Sequence, residues 1–176
     1  MVRVCLNAGH APNGNPDPGA CGEYSRESDI TRAVADIAAD CLRLVGYEVL
    51  VVQDDDLQSV CDASDGFQAD VFVSIHCNSA ENRSARGTET FYYEGSFNGL
   101  KLAEYLQQQL IDSIENPVDR GLKTASFYVL RNTDAPAALV ELEFISNKYG
   151  EDYLNEHQEG LGRAIARGVS DYFANN

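Results

Sequence analysis

Val2, Val4 and Leu6 alternate with other residues at the start of the chain, a period of two that predicts a short strand ending near Asn7. Ile30, Val34, Ile37, Cys41 and Leu44 then recur at intervals of 4, 3, 4 and 3. That spacing predicts a helix from about Arg26 to Val45 with one face on a sheet, capped by Ser25 or Ser28 and stopped by Gly46. Tyr47–Val52 reads as a second strand, and Leu57, Val60 and Phe67 mark a short helix. The continuous apolar run Val71–Ile75 is the kind of strand buried on both faces of a parallel sheet. Gly87–Glu94 is a further strand. Leu100, Ala103, Leu106, Leu110 and Ile114 mark a helix that Asn116-Pro117 ends. Phe127–Leu130 and Ala137–Glu141 read as short strands. Leu154, Leu161, Ile165 and Val169 predict one closing helix, weakened by Gly160, Gly162 and Gly168. Strands alternating with helices, without an internal repeat or linker, mean an α/β fold in one domain covering residues 1–176.

Composition narrows the function classes. No run of about 18 apolar residues occurs, so no membrane insertion is expected. The formal net charge is −15, which argues against nucleic acid as a partner, because phosphate binding needs a basic surface. The same acidity favours a soluble monomer. The stretch Ala11–Gly22 is a loop by its Gly, Pro and Asn content, and with no Gly-Lys-Ser/Thr it is no phosphate loop. Asp54-Asp55-Asp56 reads as a solvated helix start, since no calcium-loop series of ligands follows. The five cysteines form no Cys-x-x-Cys pair and are odd in number, which favours synthesis in a reducing compartment.

Three apolar strands end in a chemically useful residue. His10 lies just past the first, His76 caps Val71–Ile75 and Glu141 caps Ala137–Val140. If these strands are parallel, the three residues meet at one sheet edge, where ligands of open α/β sheets bind. Glu143 follows Glu141 by two residues, and regular alternation would set both acids on one face. Two histidines suit zinc, which in catalytic sites takes three protein ligands plus water. The third is expected on the segment before the first helix, where spacing leaves both Glu23 and Glu27 open. Taken singly, each residue has an ordinary role as a satisfied strand-end polar group or a helix-start acid. His157 is placed in that ordinary class.

The ordered set of motifs resembles the zinc-dependent N-acetylmuramoyl-L-alanine amidases of the amidase-3 type. The set is Asn7-Ala8-Gly9-His10, Glu27, Ser74-Ile75-His76-Cys77-Asn78 and Gly87-Thr88-Glu89-Thr90-Phe91-Tyr92-Tyr93. It continues with Arg120-Gly121-Leu122-Lys123, Tyr128-Val129-Leu130-Arg131, Ala135 to Glu141 and Phe144-Ile145-Ser146-Asn147. The resemblance implies a mostly parallel six-stranded sheet with helices on both faces. It implies one Zn2+ held by His10, Glu27 and His76, deciding for Glu27 over Glu23, and it makes Glu141 the catalytic base. The implied reaction is hydrolysis of the amide joining the lactyl group of N-acetylmuramic acid to L-alanine in peptidoglycan. In it a zinc-bound water of pKa about 7 gives its proton to Glu141.

Asn78 and Arg131 are expected to contact substrate, Glu143 is a possible accessory acid, and Tyr24, Tyr92 and Tyr128 are candidates to line a glycan groove. Asn7-Ala8 and Ala11-Pro12 stand where the family has Asp-Pro and Gly-Gly around the histidine, so a carboxylate partner for His10 is left unassigned. Glu143 stands where the family commonly has Gly. The opening residues read as a core strand and not a leader peptide. Action on the bacterial wall would then follow cytoplasmic synthesis and lysis-type release, as for a phage endolysin, or the chain is a domain of a secreted autolysin. A zinc peptidase cutting within the stem peptide and a wall-binding module without turnover are the alternatives.

Overall fold

The computed structural model describes residues 1–175. Six strands form one sheet: β1 (Arg3–Ala8), β2 (Glu48–Val52), β3 (Val71–Asn78), β4 (Thr88–Tyr92), β5 (Asp119–Thr124) and β6 (Ala137–Phe144). Their spatial order is β2-β1-β3-β6-β4-β5. The first four in that order are mutually parallel, β4 runs antiparallel to β6, and β5 is parallel to β4. The carboxyl ends of β1, β3 and β6 therefore share one edge, as the three strand-end residues required.

The helices are α1 (Glu27–Leu44), α2 (Leu57–Phe67), α3 (Phe97–Ser113), α4 (Tyr128–Asn132), α5 (Lys148–Glu156) and α6 (Gln158–Ala174). One sheet face buries Val4, Leu6, Val73, Ile75, Val140 and Leu142 beneath α1, α3 and α6. The other buries Cys5, Phe72, Ala137 and Leu139 beneath the shorter α2 and α4. The division follows strand alternation, with odd and even positions of β6 going to opposite cores. Burial of α1 runs through Ile30, Val34, Ala38 and Leu42, so the expected stripe shifts after its first two residues: Ile37 and Cys41 are half-buried and Leu44 is exposed. Asp56 caps α2 by accepting the Gln58 N–H at 3.1 Å, so the acid triplet does start a helix. Among the described residues, no helix is long and apolar enough to cross a membrane.

Three expectations change. The Phe127–Leu130 region is the helix α4 and not a strand, because its backbone turns after Ala125 and leaves the sheet to β4, β5 and β6. The closing helix is two, α5 and α6, divided at His157, whose backbone (φ −119, ψ 21) is not helical. The glycines thought to weaken α6 serve its packing instead: a Cβ on Gly168 would lie 2.9 Å from Leu106 Cα of α3. The edge strand β5 has no apolar run or alternation to announce it.

Candidate active site

Side chains from β1, β3 and α1 meet at the shared sheet edge. His10 Nε2 lies 3.0 Å from Glu27 Oε2, and His76 Nδ1 lies 2.9 Å from Glu27 Oε1. The two imidazoles are 5.1 Å apart, edge to face. One ligand atom from each of the three residues falls within 4.8 Å of the others. Glu27 is 3% exposed and occupies the first position of α1, where the helix dipole favours a carboxylate. Its oxygens also accept the backbone N–H of Ala20 at 2.8 Å and of Cys77 at 2.9 Å. Glu23, the other acid weighed for this place, instead donates its backbone N–H to Glu151.

The Ala11–Gly22 loop folds over this cluster and adds a residue that the sequence reading did not assign. Asp17 Oδ2 sits 2.7 Å from His10 Nδ1, while Asp17 Oδ1 accepts the Gly19 N–H at 2.9 Å. A carboxylate therefore backs the imidazole on the side away from Glu27. His10 has φ 69, an uncommon left-handed backbone for a residue with a Cβ and a kind of strain found at functional sites. Gly19 also has positive φ, and a Cβ there would lie 2.7 Å from both Glu27 Oε2 and His10 Nε2. Only glycine lets the loop pass this close.

The charges of the cluster are coupled. Burial opposes protonation of His10, but the hydrogen bond and charge of Glu27, joined by Asp17, outweigh it and raise the pKa to about 9. Burial likewise opposes ionisation of Glu27, and the two histidines overcome it, holding the carboxyl well below its usual range. Two carboxylates around these imidazoles favour a positive charge, which a proton or a metal ion can provide.

Glu141 pairs in register with His76 on one side and Glu89 on the other. Its Oε2 is buried and has no hydrogen-bond partner. Burial, then the negative charges of Glu27 and Glu89, push its pKa up to about 8 against the opposing pull of His10. Glu141, His10 and His76 line a cavity of about 320 Å³ together with Asp17, Asp54, Asp55, Phe127 and Tyr128.

The remaining candidates scatter. The side-by-side placement expected for Glu143 is corrected by a register shift between His76 and Asn78, where β6 carries one residue more than β3. That bulge pairs Phe144 with Asn78, on the face where regular alternation would have put Glu143. Glu143 Oε1 instead accepts the N–H groups of Gly87 at 2.5 Å and Phe144 at 2.8 Å. Arg131 is also displaced: α4 carries it to a separate cleft lined by Tyr93, Phe97 and Asp134. Asn78 donates to Glu89 at 2.8 Å. Of the tyrosines, Tyr128 reaches the cavity, Tyr92 packs on the larger core, and Tyr24 bonds Asp152 at the surface. His157 stacks on Tyr153 with ring centroids 4.2 Å apart, away from the cluster.

Buried Glu89, held by Arg120 and Lys123, was passed over within its motif. An acid in the aromatic strand Thr-Glu-Thr-Phe-Tyr was the available signal. For Asp17 the signal was weaker: one acid in a polar loop seven residues after His10.

Residues 4–171 match the family model described as N-acetylmuramoyl-L-alanine amidase. The chain belongs to this family. Among relatives, the chain is 38% identical to YqiI, an uncharacterized protein of Bacillus subtilis (strain 168), over 97% of this chain and 84% of that one. The germination-specific N-acetylmuramoyl-L-alanine amidase of the same organism is 27% identical over 97% of this chain and 79% of its own. Among solved structures, the amidase AmiC2 of Nostoc punctiforme superimposes with a TM-score of 0.91 at 30% identity, covering 99% of this chain and 98% of that one. The single α/β domain of this amidase family member is thus the one its sequence motifs implied.

Proposed function

We propose that residues 1–176 act as an amidase catalytic domain that cleaves the amide between the lactyl group of N-acetylmuramic acid and L-alanine in peptidoglycan. In this reading His10, Glu27 and His76 hold one zinc ion and Glu141 is the general base. Two imidazoles, one carboxylate and a second carboxylate behind His10 form a donor set suited to zinc. When bound, zinc supplies the charge that polarises the scissile carbonyl and lowers the pKa of the attacking water. Asp17 fixes the His10 ring with Nε2 towards Glu27. Glu141 takes a proton as the water oxygen bonds to the carbonyl carbon. It then delivers that proton to the leaving nitrogen as the C–N bond breaks. The products are the lactyl carboxylate on the sugar and the free amino group of L-alanine.

The observation that carries this reading is the partnerless Oε2 of Glu141, buried beside the three-residue cluster. A carboxylate with a pKa of about 8 is matched to proton transfer near neutral pH. Digestion of purified peptidoglycan, with the new termini identified, tests the reading. New L-alanine amino groups and lactyl acids are expected, and Glu141→Gln should bind zinc yet lose about 10²-fold or more in rate. Cleavage inside the stem peptide would indicate a peptidase, and zinc binding without any cleavage would indicate a wall-binding module. Either result overturns the amidase reading.

A further inference from the structure

Beyond Glu141 the same sheet row continues to Glu89 on β4, which pairs directly with it. Glu89 is 4% exposed. It accepts Arg120 Nε at 2.6 Å, Lys123 Nζ, and Asn78 Nδ2 at 2.8 Å. One buried carboxylate thus anchors two cations from β5, and the group carries a net positive charge. Neither cation is used up. Arg120 has five N–H donors and Lys123 three, and the bonds formed are one each to Glu89 plus a long contact from Arg120 Nη1 to the Arg86 carbonyl. Their side chains are 35% and 39% exposed.

The pair lies outside the cavity lining and is linked to the cavity through two aromatic rings. Phe127, which lines it, packs edge to face on Phe91 at 5.2 Å, and Lys123 Nζ lies 5.9 Å over the Phe91 ring. Strands β6 and β5 are separated only by β4, so the backbones of Arg120 and Lys123 stand about 10 Å from that of Glu141 along the row, with their charged ends reaching back to Glu89. An extended peptide covers that distance in about three residues. On an acidic chain that repels anions, a net positive patch at this reach selects a negatively charged ligand.

We infer that Arg120 and Lys123, anchored on Glu89, form the subsite for a free carboxylate of the stem peptide, borne by the second or third residue on the leaving-amine side of the scissile bond. This inference rests on the amidase reading for the identity of the ligand. The glycan side of the bond carries no charge to be read, so the cations face the peptide. Arg120 offers a planar fork and Lys123 a mobile ammonium, and charge-assisted bonds from both orient the peptide without touching the reacting atoms.

The test uses two soluble muropeptides that differ only in the stem, one with free carboxylates at residues two and three and one with both amidated. The wild-type protein should favour the carboxylate form about tenfold in kcat/KM, mainly through KM, as loss of a charge-assisted contact implies. Lys123→Gln and Arg120→Gln should each shrink that ratio, while Lys123→Arg keeps it. In each variant the other cation and Asn78 still hold Glu89, and thermal melting checks the fold. Equal use of the two substrates by the wild type overturns the subsite. An unchanged ratio in Lys123→Gln and Arg120→Gln does so too. Calorimetry of the free stem peptides on the zinc-loaded Glu141→Gln protein, with and without Lys123→Gln, reads the same preference without turnover. If neither muropeptide is cleaved by the wild type, the amidase reading falls, and this binding preference still decides whether the cations take a carboxylate.

Discussion

Asp17 Oδ2 lies 2.7 Å from His10 Nδ1, on the ring edge opposite the one that faces Glu27. The bond fixes the ring and turns Nε2 towards Glu27. A carboxylate behind a metal-bound imidazole raises its basicity, and removing such partners costs about 10–100-fold in metal affinity or activity. Asp17→Ala should therefore weaken zinc binding by that factor in a chelator competition. Unchanged affinity would assign Asp17 to loop shape alone.

His10 has a pKa of about 9 when its charged neighbours are Glu27 and Asp17, so at neutral pH its ring carries a proton. If His10 ligates zinc as proposed, the ion displaces that proton, because a ligating imidazole is neutral. Zinc affinity should rise by about tenfold per pH unit between pH 7 and 9 and level off above. Calorimetry in two buffers of different ionisation enthalpy should show about one proton released per ion at pH 7. No proton release would contradict the coupled cluster.

Glu151 of α5 accepts the backbone N–H groups of Glu23, Tyr24 and Ser25 at 2.8, 2.8 and 2.9 Å. It thereby ties α5 to the segment that delivers Glu27. Burial opposes its ionisation, but these N–H donors win and lower its pKa. A depressed carboxyl stabilises the fold above its unfolded pKa of about 4.3, and that contribution is lost as pH falls through the lower folded value. Glu151→Gln should cost about 2 kcal/mol at pH 7, a fall of about 6 °C in Tm. The gap between variant and wild type should close below about pH 4. A gap independent of pH would mean that shape, not charge, makes the contact.

Much of the scaffold is legible in the chain itself. The periods of β1 and α1 and the apolar runs of β3 and β6 are local properties of the chain, and burial on one or both faces writes them into residue types. The meeting of His10, His76 and Glu141 also followed, given parallel strands, because each follows the apolar run of its strand, although β3 and β6 continue to Asn78 and Phe144. The choice of Glu27 needed the family resemblance, since spacing treated Glu23 equally.

Other features depend on contacts between distant segments. Regular alternation placed Glu143 beside Glu141, yet a bulge set by the pairing of β6 with β3 turned it to Gly87. The tie from Asp17 to His10 depends on how a loop of Gly, Pro and Asn closes over a histidine with φ 69, and no local pattern encodes that path. Edge strand β5 is largely exposed and carries little hydrophobic signal, so the placement of Arg120 and Lys123 over Glu89 appears only when the sheet is assembled. Sequence alone thus determined the elements, the family and the chemical groups at the strand ends, because local periodicity and residue type suffice for those. Tertiary structure decided which acids serve which neighbours, because strand register and bulges bring together residues 50 or more positions apart, and loop closure follows no local pattern.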